Sequence, residues 1–435
     1  MERRTWAVLG LVGLCVSVGV VFANLIGPHL QALGLLTASD AARIKGTIRI
    51  GGDNYLGYWF LTSSEFAQRL RQRGYSLSWT NDHGDYEERH KKFADGGYDL
   101  MVLPISSYLL HGLPRRYPGV IPVALSESKG ADSIVGYADR VVPGGARPPT
   151  INDLNNPDLK ICLTPDSPSQ FLLDIAIAHF ALDDLKKKGV WSVPTSGSDD
   201  AYGRLRNRQC DVAVVWEPDV SKALAIPGVT TIFGSDQVSG MIIDVFVVRR
   251  QLAQGDPDLL DAFFGAYFDT LSYYRVRRDQ LVSDIAKDSV LPSRESTELA
   301  VDRIAWFGLA DNCRDWFNLG LPGIVSQSNR EKVVDSISDV TNVMIRVGDL
   351  ATDPLAGNPY TITTSDALKR ICAQVGTPSG ISAAPEGFAF PALTDEEWAA
   401  LRIIGRIRVL PIGFDPSTSR LTREGASTVD QMATA

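Results

Sequence analysis

Residues 159–180, LKICLTPDSPSQFLLDIAIAHF, decide the fold, because a buried strand turns there directly into a capped helix. Leu159 to Leu163 is a short apolar run of strand length, and Thr164, Pro165 and Asp166 break it. Ser167 supplies an N-cap oxygen and Pro168 takes the first helical position. Gln170, three residues past the cap, can reach back to close a capping box. Phe171, Leu172, Ile175, Ala176 and Phe180 recur at helical spacing, so one face packs on a sheet and the N-terminal turn points beyond the strand ends. Open α/β sheets bind ligands at that place, where unpaired amides favour a small anion or a carbonyl oxygen. An ordinary strand-to-helix junction without a ligand has the same pattern.

Upstream, Ile48 to Gly51 reads as a strand that leaves into the loop Asp53-Asn54-Tyr55-Leu56-Gly57-Tyr58-Trp59. Thr62 with Glu65 predicts a capping box before a helix carrying Phe66 and Leu70. Ser76 to Thr80 alternates as a strand, Tyr86 to Ala94 is a polar helix closed by Gly96 and Gly97, and Tyr98 to Pro104 is a buried strand. This succession predicts βαβ units in a parallel sheet. Val120 to Tyr137 holds two extended runs around Lys129 and Gly130, and Val142 to Thr150 is a Pro- and Gly-rich loop. Downstream come a strand at Gly189 to Val193, a helix at Asp199 to Asn207, and a buried strand at Cys210 to Trp216. Met241 to Val248 is a further strand, returning to the first sheet, and the chain from Asp258 onward is mainly helical. Two halves of like order with two connections describe a two-lobed α/β clamp.

At 435 residues the chain exceeds one ordinary core, and 44% hydrophobic with 22% charged residues is the make-up of a globular protein. A net charge of -8 argues against nucleic acid or an anionic membrane surface as main partner. Between Arg4 and Asp40 there is no Asp, Glu, Lys or Arg, and Trp6 to Ala23 is nearly continuous apolar sequence behind Arg3 and Arg4. The pattern predicts an N-terminal transmembrane helix that anchors the chain in the inner membrane, with everything after it exported; a cleaved signal peptide is the rival reading. Beyond Cys15, Cys313 with Cys372 is a possible disulfide, whereas Cys162 and Cys210 read as core strand residues. Neither cysteine nor histidine spacing suits a metal, and no nucleophile elbow, phosphate loop or dinucleotide fingerprint is present, so no enzyme and no cofactor are expected.

The order of pieces resembles the solute-binding proteins of the nitrate, sulfonate and taurine group. Five places carry it: the IRIGG opening with its aromatic loop, YDLMVLP behind Gly96 and Gly97, Ile151 to Leu154 ahead of KICLTPDSPSQFLL, RQCDVAVVWEP, and IIDVFVVRR before a helix near Asp256-Pro257. The resemblance spans roughly Lys45 to Val375 and implies a two-lobed type II periplasmic-binding-protein fold whose ligand sits between lobes that close by hinge bending. On that basis residues 45–148 and 238–375 form the first lobe and 149–237 the second. Residues 407–435 resemble the opening of an OmpA-like peptidoglycan-binding domain, with Ile412-Gly413-Phe414 and Leu421-Thr422 in the expected places. The chain is expected to carry 376–405 as a linker and 406–435 as the truncated start of that domain.

In the first lobe, Asn54, Tyr55, Tyr58 and Trp59 leave a strand end and can stack a ligand, or form a satellite core cluster. Ser106 and Ser107 can hydrogen-bond a ligand oxygen or cap a helix. In the second lobe Ser167, Ser169 and Gln170 stand at the helix start. Trp216 and Glu217 end a strand toward the same cleft, where Glu217 can accept from an amine or serve structure before Pro218. Asp244, inside an apolar strand, is a hinge group or a ligand contact, since a bare buried carboxylate is costly. The expectation is a membrane-tethered periplasmic solute-binding protein that captures a small, oxyanionic or sulfonate-like ligand for ABC-type uptake or sensing, with a permease as partner. The alternative is an envelope scaffold whose clamp, filled by Tyr58, Trp59 and Trp216, binds protein while the OmpA-like part attaches to peptidoglycan.

Overall fold

Ile48 and Ile50 alternate with Thr47 and Arg49, and the pattern folds as strand β1 (Gly46–Gly52) with both isoleucines fully buried. The computed structural model describes residues 44–374, apart from 146, 187–188, 290 and 320–330, and beyond them only residue 429. The expected membrane segment at 1–40, the linker at 376–405 and the OmpA-like start at 406–435 lie outside the described residues, 429 excepted. Among the described residues no helix is long and apolar enough to cross a membrane.

After β1, a single turn at Trp59–Thr62 leads into α1 (Ser64–Gln72). Its cap is Ser63, not Thr62: Ser63 takes the extended backbone a cap needs and accepts from the Phe66 amide at 3.2 Å, while Thr62 donates to the Trp59 carbonyl. Then follow β2 (Tyr75–Asn81), α2 (Tyr86–Ala94), β3 (Leu100–Pro104), α3 (Ile105–Gly112) and β4 (Gly119–Ser128). The second set is β5 (Asp132–Tyr137), β6 (Ile161–Leu163), α4 (Pro168–His179), β7 (Ser192–Pro194), α5 (Ser198–Arg206), β8 (Val212–Trp216), α6 (Asp219–Leu224) and β9 (Val229–Gly234). β10 (Ile243–Arg249), α7 (Pro257–Arg275), α8 (Arg278–Ser289), α9 (Arg294–Asp302), β11 (Ile304–Trp306), α10 (Lys332–Val347) and α11 (Asp366–Gln374) complete the described chain.

The strands form two sheets, ordered β11-β4-β10-β3-β1-β2 and β7-β6-β8-β5-β9. β1 runs parallel to β2 and β3, and β6 parallel to β7 and β8, as the βαβ reading requires. β10 returns to the first sheet antiparallel to both neighbours. The first crossing comes earlier than the 148/149 boundary expected from the sequence, because β5 pairs with β8 and β9 in the second sheet. The chain therefore changes lobe between Ser128 and Asp132 and changes back between Gly234 and Ile243. These crossings are tied together: Ser128 and Ser235 hydroxyls lie 2.7 Å apart, and the Gly130 amide donates to Ser235 Oγ.

Both cores are dense. Phe246 of β10 meets Phe263, Phe264 and Tyr267 of α7 in edge-to-face contacts, which covers one face of the first sheet. α10 packs against both α3 and α4, so it spans the boundary between lobes. Cys313 pairs with Cys372 as expected, and Cys162 and Cys210, core residues by their sequence pattern, also pair with each other. β6 pairs with β8, and Cys210 lies in the segment leading into β8, with the two Cα atoms 5.9 Å apart and within bridging range.

Candidate functional site

The ends of β1, β3 and β8 and the starts of β5 and β10 all reach the boundary between lobes. Asp53 begins the first loop there by accepting the Tyr55 amide at 2.9 Å, and the short turn Leu56–Tyr58 follows. Gly57 is required inside it, since a Cβ there would stand 2.2 Å from the Tyr55 ring. The turn sets Tyr55 and Tyr58 edge to face with centroids 5.2 Å apart. Tyr58 Oη then donates to Asp244 Oδ1 at 2.5 Å, and Ser126 Oγ reaches Oδ2 at 3.4 Å.

Tyr55, Tyr58, Tyr86, Pro104, Ile242 and Asp244 face Asp132, Pro168 and Trp216 of the second lobe around one enclosed space of about 10 Å³. That is roughly the room a single water molecule needs. Trp216 is fully buried and its indole donates to Asn54 Oδ1 at 3.1 Å, directly across the lobes. The Leu56 amide likewise donates to the Glu217 carbonyl at 2.9 Å.

A second narrow space, also about 10 Å³, lies beside the helix start singled out at first: Ser106 and Ser107 face Asp166, Ser167, Gln170 and Met344. Ser167 caps α4 as expected, accepting from the Ser169 amide at 3.1 Å and donating to the Thr164 carbonyl. Gln170 does reach back, but to the Asp166 amide at 3.2 Å, one residue before the cap. The hydroxyls of Ser106, Ser107 and Ser169 are buried without hydrogen-bond partners. His111 Nε2 donates to the Asp166 carbonyl at 2.9 Å and closes this flank between lobes.

Tyr55, Tyr58, Trp216 and Asp244 thus meet around the first space, with Asn54 behind Trp216 as its hydrogen-bond partner, and Ser106, Ser107, Ser167 and Gln170 meet around the second. Trp59 joins neither: its indole donates to Asp288 at 3.0 Å and its ring packs on Phe60 and Tyr274, because the turn that brings Tyr58 inward points its successor at the helices. The Glu217 carboxylate also turns away, bonding Arg303 at 2.6 Å and Ser221 at 2.8 Å. Asp132 and Tyr86 were missed. Asp132 sits in an apolar extended run just as Asp244 does, and that shared signal could have found it.

The electrostatics are acidic. Burial pushes the Asp244 carboxyl well above the usual range, although the Tyr58 hydrogen bond pulls it down. Burial raises Asp132 to about 7, with Asp53 and Glu217 adding to the rise and Ser128 opposing it. Arg89 is fully buried beneath the site, held by Asp53 at 2.8 Å, by both oxygens of Asp82 and by the Val102 carbonyl. Among the described residues no group of three or more His, Cys, Asp and Glu could hold a metal ion.

No family model and no curated protein matches this chain. Among solved structures it is similar to the alkanesulfonate-binding protein SsuA from Xanthomonas axonopodis pv. citri bound to MOPS, with TM-score 0.55 and 14% identity over 72% of this chain and 98% of that one. The ligand-binding component of an ABC-type import system from Staphylococcus aureus gives TM-score 0.54 and 14% identity over 75% and 98%. The nitrate-binding protein NrtA from Synechocystis PCC 6803 gives 0.53 and 13% over 76% and 89%. With the sheet orders and the paired crossings, these likenesses establish the architecture as the two-lobed α/β fold of periplasmic binding proteins.

Proposed function

We propose that the protein is a solute-binding clamp of the cell envelope, closing on a small molecule for ABC-type uptake or for sensing. The observation that carries this reading is the convergence of Tyr55, Tyr58 and Asp244 from one lobe with Asp132 and Trp216 from the other on one enclosed space beside the paired crossings. Hinged lobes use such a seam to trap a ligand. Two buried cystine pairs suit an oxidising compartment, which supports a periplasmic location. The permease partner follows from the kinship of fold with transport receptors. The membrane tether at 1–40 and the peptidoglycan contact of 406–435 enter the proposal from the sequence.

The oxyanionic or sulfonate-like ligand expected from the sequence finds little support in the seam. Both nearby guanidiniums are committed, Arg89 to Asp53 and Asp82 and Arg303 to Glu217. A thermal-shift screen of the protein against small anions and small amines tests the clamp: a true ligand raises the melting temperature with the logarithm of its concentration. The alternative, a scaffold with a filled cleft, is favoured by how little room Tyr58 and Trp216 leave between the lobes. It predicts that no small molecule moves the transition.

A further inference from the structure

The seam holds an excess of buried acid. Asp53, Asp82, Asp132, Glu217 and Asp244 are five carboxylates around it, against the two guanidiniums of Arg89 and Arg303. Three of the five are spoken for by those cations. Asp132 and Asp244, which face the enclosed space itself, have no cationic partner among the described residues. Asp132 is 2% exposed and its Oδ1 has no hydrogen-bond partner; the Tyr55 hydroxyl, on the opposite lobe, is equally buried and equally unpartnered. A buried polar atom left open is costly: the Asp132 oxygen lacks a donor, and the Tyr55 hydroxyl, which can both donate and accept, lacks a partner of either kind. The rest of the wall is the rings of Tyr55, Tyr58, Tyr86 and Trp216, surfaces that attract a cation by their π faces.

We infer that the seam receives a protonated amine, whose ammonium group donates to Asp132 Oδ1 and to the Tyr55 hydroxyl between the closed lobes. This deepens the clamp reading and rests on it. An ammonium group is about the size of the water molecule the space admits, and it supplies several donors to a wall rich in acceptors. An oxyanion would find no uncommitted cation there, since Arg89 and Arg303 are already paired, and would face the oxygens of Asp132 and Asp244. A divalent metal would need a tighter cluster of ligands than the described residues provide.

Burial raises the Asp132 carboxyl to about 7, with Asp53 and Glu217 adding to the rise and Ser128 opposing it, so near neutral pH the carboxyl holds a proton part of the time. Binding a cation must displace that proton, so affinity rises as the pH passes from 6 to 8 through the Asp132 value of about 7.

Thermal shift and calorimetry of the full chain with ammonium chloride and methylammonium chloride, against sodium nitrate and sodium methanesulfonate at equal ionic strength, decide the matter. We expect the ammonium salts alone to raise the melting temperature, more strongly at pH 8 than at pH 6. Asp132→Asn should weaken their binding about tenfold or more, the loss of one charge-assisted hydrogen bond. Tyr55→Phe, which removes a hydroxyl without disturbing the ring, should weaken it by a smaller factor and serves where the first variant does not fold. A shift with the anions alone overturns the charge assignment and leaves the clamp standing. No shift with any of the four salts, in wild-type protein, overturns both.

Discussion

Asp132 shows how a single buried acid can govern the stability of this protein. Its carboxyl is raised from 3.8 to about 7 in the folded chain, chiefly by burial, so its neutral form is the one the fold favours. The proton lost on ionisation is bound more tightly in the folded state, so the benefit is complete below about pH 4 and disappears as the pH climbs through 7. The difference is on the order of 4 kcal/mol over that window. Asp132→Asn, a neutral stand-in, should therefore stabilise the ligand-free protein much more at pH 7.5 than at pH 4.5. Urea unfolding of both proteins at the two pH values measures this, and equal gains at both would show that Asp132 is already solvated.

The helix α4 is the element on which local sequence and global placement agree best. Ser167 takes the extended backbone of a cap, Pro168 occupies the first turn, and nine of its twelve residues are buried. Ser167→Ala should cost about 1 kcal/mol of unfolding free energy, since it removes the only side-chain acceptor of the Ser169 amide. Chemical denaturation monitored by circular dichroism is the measurement. Such elements were readable in the sequence because caps and apolar periodicity are local. The polar helix at Tyr86–Ala94 and the βαβ order were legible for the same reason. What stayed hidden depends on partners distant in the chain. β4 and β5, separated by Lys129, Gly130 and Ala131, read as neighbours, and nothing in their composition says that they enter different sheets. The bridge between Cys162 and Cys210 was concealed in the same way, by a strand pairing. At the site, Asn54, Tyr55, Tyr58, Trp216 and Asp244 lay on recognisable strand ends, whereas the inward or outward turn of Trp59 and Glu217 is set by packing that no local pattern records.

At the scale of the whole molecule, the lobes touch where Gly197, ahead of α5, faces the loop after β2. A Cβ on Gly197 would stand 2.3 Å from the His83 carbonyl oxygen, while its φ of 166° is extended backbone that any residue adopts. Gly197→Ala should thus leave each lobe intact and hold the two apart. Small-angle scattering should report a larger radius of gyration than wild type, and Trp216 fluorescence should shift to the red as water reaches the indole. An unchanged radius would mean that this contact yields without opening the seam. The cystine pairs add a further consequence, for Cys162–Cys210 lies inside the second lobe and Cys313–Cys372 on the side of the first. Cystine formation accordingly stiffens two separate halves and, among the described residues, places no covalent tie across the boundary between them.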